Sequence, residues 1–224
     1  MKREETKFYL GTILVLMSYY LIFNLVVRLE FMDQLSDFGF YGIQILLIVI
    51  EGIAATVVLV KSQRWKEYGR FQFRWSYLGL FFLSFILMFL WVNITTRIFP
   101  NTQNGSAIKE TVANLTGISY FVTRILYGSL IAPIVEELVF RGLLMTALSK
   151  FKKYYIDVII SSTLFSIVHV LQYGWVLTDF IVYAGAGLLL CMLFRYTRSI
   201  YWSMALHILW NTFLIIVSLL VFGY

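Results

Sequence analysis

Charge is what this chain has least of. Only 13% of its 224 residues are Asp, Glu, Lys or Arg, while 60% are hydrophobic; soluble domains run at about 25% charged and about 45–50% apolar. That composition excludes an ordinary soluble domain. Cysteine occurs once, as Cys191 within an apolar run, which excludes an intrachain disulfide and gives no sign of redox compartment. Histidine and proline each occur twice. No internal repeat, low-complexity tract or linker divides the chain. The formal net charge of +6 does not point to nucleic acid as a partner, because the basic residues sit in short loops between apolar runs rather than on one polar face.

What fills the chain is a succession of apolar runs, each about twenty residues long. In lipid such runs must satisfy their backbone groups internally. The expected fold is therefore all-α, a polytopic membrane helical bundle of about seven transmembrane helices forming one integrated membrane domain. The spans fall near residues 8–29, 40–60, 76–98, 120–148, 154–171, 176–194 and 200–222. Residues 1–116 read as an N-terminal three-helix membrane region with a polar loop, and residues 117–224 as the helices that carry chemistry. The loop, 99–117, has the Pro, Asn and Gly punctuation of irregular chain, and its second half reads as an interfacial helix. The first apolar run is too long for a signal-peptide core and lacks a small-residue cleavage site before Arg28, so it is expected to remain a helix. Thirteen Lys and Arg fall in the segments that an inside N-terminus would place in the cytoplasm, against Arg28, Arg97 and Lys109 outside. By the positive-inside rule the N-terminus is cytoplasmic.

Within the fourth span, APIVEELVFRG at residues 132–142 places Glu136, Glu137 and Arg141 at membrane depth. Three ionised groups facing lipid would cost on the order of 8–10 kcal/mol, so they are expected to face protein or a water-filled cavity. Glu137 and Arg141 are four apart and share a face, which allows an intrahelical ion pair; Glu136 is rotated about 100° away and escapes it. The carboxylates are therefore unequal, one held by a guanidinium and the other available as a base. Pro133 removes a backbone bond to Ser129 and is expected to kink the helix.

Both histidines lie in spanning segments, His169 with Phe165 on the fifth and His207 with Asn211 on the seventh, each pair at i, i+4. Together with the fourth span they supply two imidazoles, a free carboxylate, a carboxylate–arginine pair and a carboxamide. Those are parts for activating water against an amide. They also resemble a zinc site: Glu136, His169 and His207 are a possible Zn2+ ligand set with water in the fourth position, although the HExxH spacing is absent. The sequence leaves metal hydroxide and directly activated water both open. A packing ion network would account for the charged cluster alone, and a helix-to-helix hydrogen bond for either His169 or Asn211 alone. Their joint placement points to a site. Glu51 and Arg124 are expected to pair across helices two and four, or Glu51 to be protonated; Asp157 and Asp179 read as interfacial, and Gly185 and Gly187 as a close-packing patch.

EELVFRG, FSIVH and HILWN, in that order on separate helices, resemble the EExxxR, FxxxH and HxxxN motifs of the CAAX protease and bacteriocin-processing (CPBP, Abi) family. The resemblance covers about residues 117–215. It implies an intramembrane endopeptidase in which Glu136 activates the attacking water with help from His169. His207 and Asn211 would stabilise the oxyanion or bind a metal, and Glu137 and Arg141 would orient the site. The substrate it implies is a membrane-embedded or lipidated peptide, in the lipid bilayer of a bacterial plasma membrane. Eukaryotic members cleave prenylated CAAX termini, whereas bacterial ones are associated with bacteriocin self-immunity or peptide processing, and this small chain looks like the bacterial kind. A catalytically silent scaffold and a small proton-coupled transporter are the alternative readings. With about 1.5 Å of rise per residue, Glu136 sits near the midplane, His207 about 6 Å to one side and His169 about 9 Å to the other, so a common site requires helix tilt or a fifth helix that begins later.

Overall fold

A computed structural model describes residues 2–100, 102, 103, 106 and 117–222. Seven long helices run through it: α1 (Lys2–Asn24), α2 (Asp37–Lys61), α3 (Trp75–Ile98), α4 (Gly117–Met145), α5 (Ile156–Tyr173), α6 (Leu177–Thr197) and α7 (Ile200–Phe222). No strand occurs among the described residues. The interfacial helix expected in the second half of the 99–117 loop lies outside them.

Five of these helices, α2, α3, α4, α6 and α7, are long and apolar enough to cross a membrane. The other two are α1, which opens on the charged segment Lys2–Lys7, and α5, whose apolar stretch Ile156–Leu171 is shorter. The all-α membrane bundle is thus the fold, with five clear spans where about seven were expected.

Local chemistry sets the helix ends. Ser36 caps α2, its hydroxyl accepting from the Gly39 N–H at 3.3 Å, which satisfies one of the orphan donors of a first turn. Arg198 ends α6 in the left-handed region (φ 51°), its N–H donating to the Phe194 carbonyl at 2.8 Å. Gly174, at φ 106°, follows the last residue of α5, a backbone conformation open to a residue without Cβ.

α4 is the axis. From Val135 to Thr146 every residue is buried, as expected of a helix enclosed on all sides. α1, α2, α5, α6 and α7 all pack against it, and α1 also meets α5. One core cluster joins them, with Tyr19, Ile48, Ala55, Val139, Phe140, Phe165 and Met204 among its members. A second, aromatic cluster holds α3 to α6 and α7 through Tyr77, Phe81, Met88, Trp202 and Trp210. Small residues permit the close crossings. A Cβ on Gly52 of α2 would lie 2.8 Å from Val135 Cγ2, and one on Gly142 2.9 Å from Leu59 Cδ1. The expected packing patch on α6 is present too: Gly185 lies under the Trp91 indole, and Gly187 against Ser162 and Phe165.

Around Pro133, α4 is not a regular α-helix. Residues Phe121–Ile131 and Leu138–Met145 are π-helical, on either side of the α segment Ala132–Glu137. Pro133 cannot donate to Ser129, and the Ala132 N–H bonds to the Tyr127 carbonyl, five residues back. The missing bond expected to produce a kink is thus answered by wider turns, a form often found at functional sites. Two carbonyls in these turns accept from neighbouring helices, Gly128 from Asn211 Nδ2 at 2.9 Å and Phe140 from Ser161 Oγ at 3.0 Å.

Candidate active site

The short α segment of α4 delivers both glutamates to the interior. Glu137 and Arg141 are fully buried and form the ion pair expected from their spacing, Nη1 to Oε1 at 2.9 Å. The other guanidinium arm donates to the Gly187 carbonyl at 3.0 Å, and the group lies over the Phe165 ring at 4.7 Å. A carboxylate, a carbonyl and an aromatic face together offset the burial of this charge, which neither lipid nor an apolar core would tolerate unpaired.

Glu137 has a second partner. His207 Nδ1 lies 3.0 Å from the same Oε1, and because a carboxylate only accepts, Nδ1 carries the hydrogen. His169 Nδ1 lies 2.8 Å from the Phe165 carbonyl and must likewise donate. In a neutral imidazole the other nitrogen then has a bare lone pair. Both bare nitrogens face one atom: Nε2 of His207 is 3.6 Å and Nε2 of His169 3.8 Å from Glu136 Oε2. These distances are too long for direct hydrogen bonds. Three acceptors directed at one another repel unless a proton, a water or a cation lies among them.

Aromatic rings fix both imidazoles. Tyr183 stacks on His169 (centroids 4.4 Å, planes 26° apart), and Phe165 meets His169 at 4.4 Å and His207 edge-on at 5.7 Å. The His169 side chain is 18% exposed against 6% for His207, so the site opens on the His169 side.

The structure therefore brings together Glu136, Glu137, Arg141, His169 and His207. Asn211 stands one turn along α7 from His207, half-buried, with Nδ2 spent on the Gly128 carbonyl rather than on the glutamates. The three side chains meet despite the depth offset expected from the helix centres; α5 begins at Ile156, two residues later than expected, which accounts for about 3 Å of it. Glu51 of α2 is met by the Ser18 hydroxyl of α1 at 3.0 Å to each oxygen. Asp157 and Asp179, expected at the interface, are both buried in first turns; Arg195 pairs with Asp157 at 3.0 Å, and the Gln103 N–H donates to Asp179 at 2.9 Å. Sequence reasoning missed Tyr183, the Gly187 carbonyl and Tyr19 of α1, which is buried against Phe140.

One carboxylate and two imidazoles tethered through Nδ1 have the donor chemistry of a zinc site. Among the described residues no group of three or more His, Cys, Asp or Glu is arranged to hold a metal ion.

Residues 118–213 match the sequence model of a family described as type II CAAX prenyl endopeptidase Rce1-like. "Putative membrane peptidase YdiL" of Bacillus subtilis (strain 168) is 30% identical over 115 residues, 51% of this chain and 45% of that protein. "UPF0177 protein YvdC" of Lactococcus lactis subsp. lactis (strain IL1403) is 30% identical over 146 residues, 61% of this chain and 51% of the relative. The chain thus spans about half the length of these curated relatives. No solved structure matches it at a significant level. The three motifs and all six expected site residues fall inside the matched stretch, which is similar to the Rce1-like CAAX prenyl endopeptidase family.

Proposed function

We propose that the chain is an intramembrane endopeptidase that hydrolyses a peptide bond in a membrane-embedded or lipidated peptide, using water activated at Glu136. The observation that carries this reading is the convergence of three lone-pair atoms, Glu136 Oε2 and the two Nε2 nitrogens, at 3.6 and 3.8 Å. A water among them donates one hydrogen to Glu136 and the other to an imidazole. As its oxygen attacks the substrate carbonyl, Glu136 takes a proton. That proton then passes to the leaving amine, so acid and amine products form with no net change in the enzyme. Positioned base catalysis of this kind contributes about 10²–10⁴-fold.

Glu137 fixes His207 in the tautomer with a bare Nε2 and stands where positive charge forms when that nitrogen takes a proton, the role a buried carboxylate plays in hydrolytic triads. Relayed from Glu136 to His207 Nε2, that same proton lets the imidazolium donate to the oxyanion before the leaving amine takes it. Arg141 holds Glu137 in place. Asn211 has one amide hydrogen spent on α4 and a second left for substrate.

The family match over residues 118–213 and two bacterial relatives support a bacterial plasma-membrane enzyme. Bacteriocin self-immunity or peptide processing is its proposed setting, with the N-terminus cytoplasmic. The test compares wild type with Glu136→Ala, His169→Ala and His207→Ala at equal membrane insertion, scoring cleavage of a membrane peptide. Loss in all three is expected; full cleavage in all three would leave the scaffold reading, and ion-coupled uptake by the same vesicles the transporter reading. Metal content of the same preparations separates the two forms of the reaction, since a stoichiometric ion lost with either imidazole would replace the metal-free step.

A further inference from the structure

Glu136 is 6% exposed, and the two imidazoles beside it present lone pairs, not hydrogens. A buried carboxylate without a donor is costly and free to rotate away. α1, outside the stretch that the family match covers, brings a phenol to this place. Tyr19 is 1% exposed, and its ring stands edge-on to Phe140 (centroids 5.6 Å, planes 88° apart). Phe140 follows Glu136 by four residues and so lies on the same face of α4. A phenol seated on Phe140 stands within reach of Glu136, one turn back along that face. Phe140 in turn packs edge-on against Phe165 at 5.4 Å, the ring that contacts both imidazoles. The phenol and the histidines are thereby fixed to one aromatic frame.

We propose that Tyr19 is a positioning residue: its O–H donates to Glu136 and holds the carboxylate facing His169 and His207, so the first helix completes the site. This rests on the hydrolase reading of Glu136, and the controls separate the two. Tyr19→Phe keeps the ring on Phe140 and removes only the hydroxyl. Ser18→Ala removes the neighbouring hydroxyl, which donates to Glu51 instead. Both are assayed in liposomes with one membrane peptide, beside wild type and Glu136→Gln, with rates corrected for folded protein.

In Tyr19→Phe, kcat per folded enzyme is expected to fall about tenfold or more, with KM close to wild type and a melting temperature lowered no further than in Ser18→Ala, whose kcat and KM stay near wild type. Wild-type kcat in Tyr19→Phe alongside an inactive Glu136→Gln would overturn the proposal and leave the hydrolase reading standing. Equal losses in Tyr19→Phe and Ser18→Ala with lowered melting temperatures would reduce Tyr19 to helix packing and overturn it as well. An active Glu136→Gln would remove the hydrolase reading on which it rests.

Discussion

α3 and α4 are both apolar and long enough to span a bilayer, yet they serve opposite ends. α3 buries a narrow stripe, Tyr77, Phe81, Ser84, Met88 and Thr95, and exposes Phe82, Leu83, Ile86, Leu90 and Ile94. It lines the outside of the bundle through aromatic contacts with Trp202 and Trp210. α4 buries Val135 through Thr146 without interruption, two glutamates and an arginine included. The difference follows from solvation. Lipid accepts the aliphatic face of α3 at no cost, whereas the charges of α4 persist only where protein supplies carbonyls, imidazoles and a countercharge. Where a membrane helix carries charge, the bundle is built around it.

Breaking that contrast begins at Arg141. Arg141→Ala leaves Glu137 buried beside His207 without its countercharge, and about 3–5 kcal/mol of stability is expected to go, read as a lower melting temperature in detergent and loss of cleavage. Gly187→Val comes next. A Cβ there lies 3.2 Å from the Ser162 Cα and 3.1 Å from Phe165, so α5 and α6 must part and shift the carbonyl that holds Arg141. The expected cost is about 1–3 kcal/mol. Asn211→Ala removes one helix-to-helix bond to α4; a loss of about 0.6 kcal/mol is expected, and a much larger one would mean that the Gly128 carbonyl has no other means of satisfaction. On α3, Gly79→Ala meets nothing within 4 Å and should stay within about 0.5 kcal/mol of wild type. An equal response at Gly79 and Gly187 would erase the distinction between the lipid-facing and enclosed helices.

The same solvation contrast decided what could be read from sequence. Glu136, Glu137, Arg141, His169 and His207 are conspicuous because polar groups are rare in apolar runs, and helical spacing alone gave the Glu137–Arg141 pair. Tyr19 and Tyr183 carry no such signal. They are two of fifteen tyrosines, and their place at the site comes from contacts between helices distant in sequence. The sharing of Glu137 between Arg141 and His207 and the Gly187 carbonyl under Arg141 are tertiary facts of the same kind. Pro133 marked a lost backbone bond, but only the packing of α5 and α7 decides that wide turns replace a kink, since Ser161 and Asn211 supply donors to their carbonyls. Five clear spans in place of about seven reflect the charged start of α1 and the shortness of α5, boundaries that an apolar run leaves soft.

The most direct measurement is the cleavage rate of a membrane peptide by the purified protein in liposomes, for wild type and for Glu136→Gln at matched insertion and melting temperature. Glutamine keeps the shape of the side chain and removes the base. Turnover by wild type and a rate lower by about a hundredfold or more in the variant are the predicted result; a Glu136→Gln protein cleaving at the wild-type rate would contradict the assignment of this carboxylate as the group that activates water.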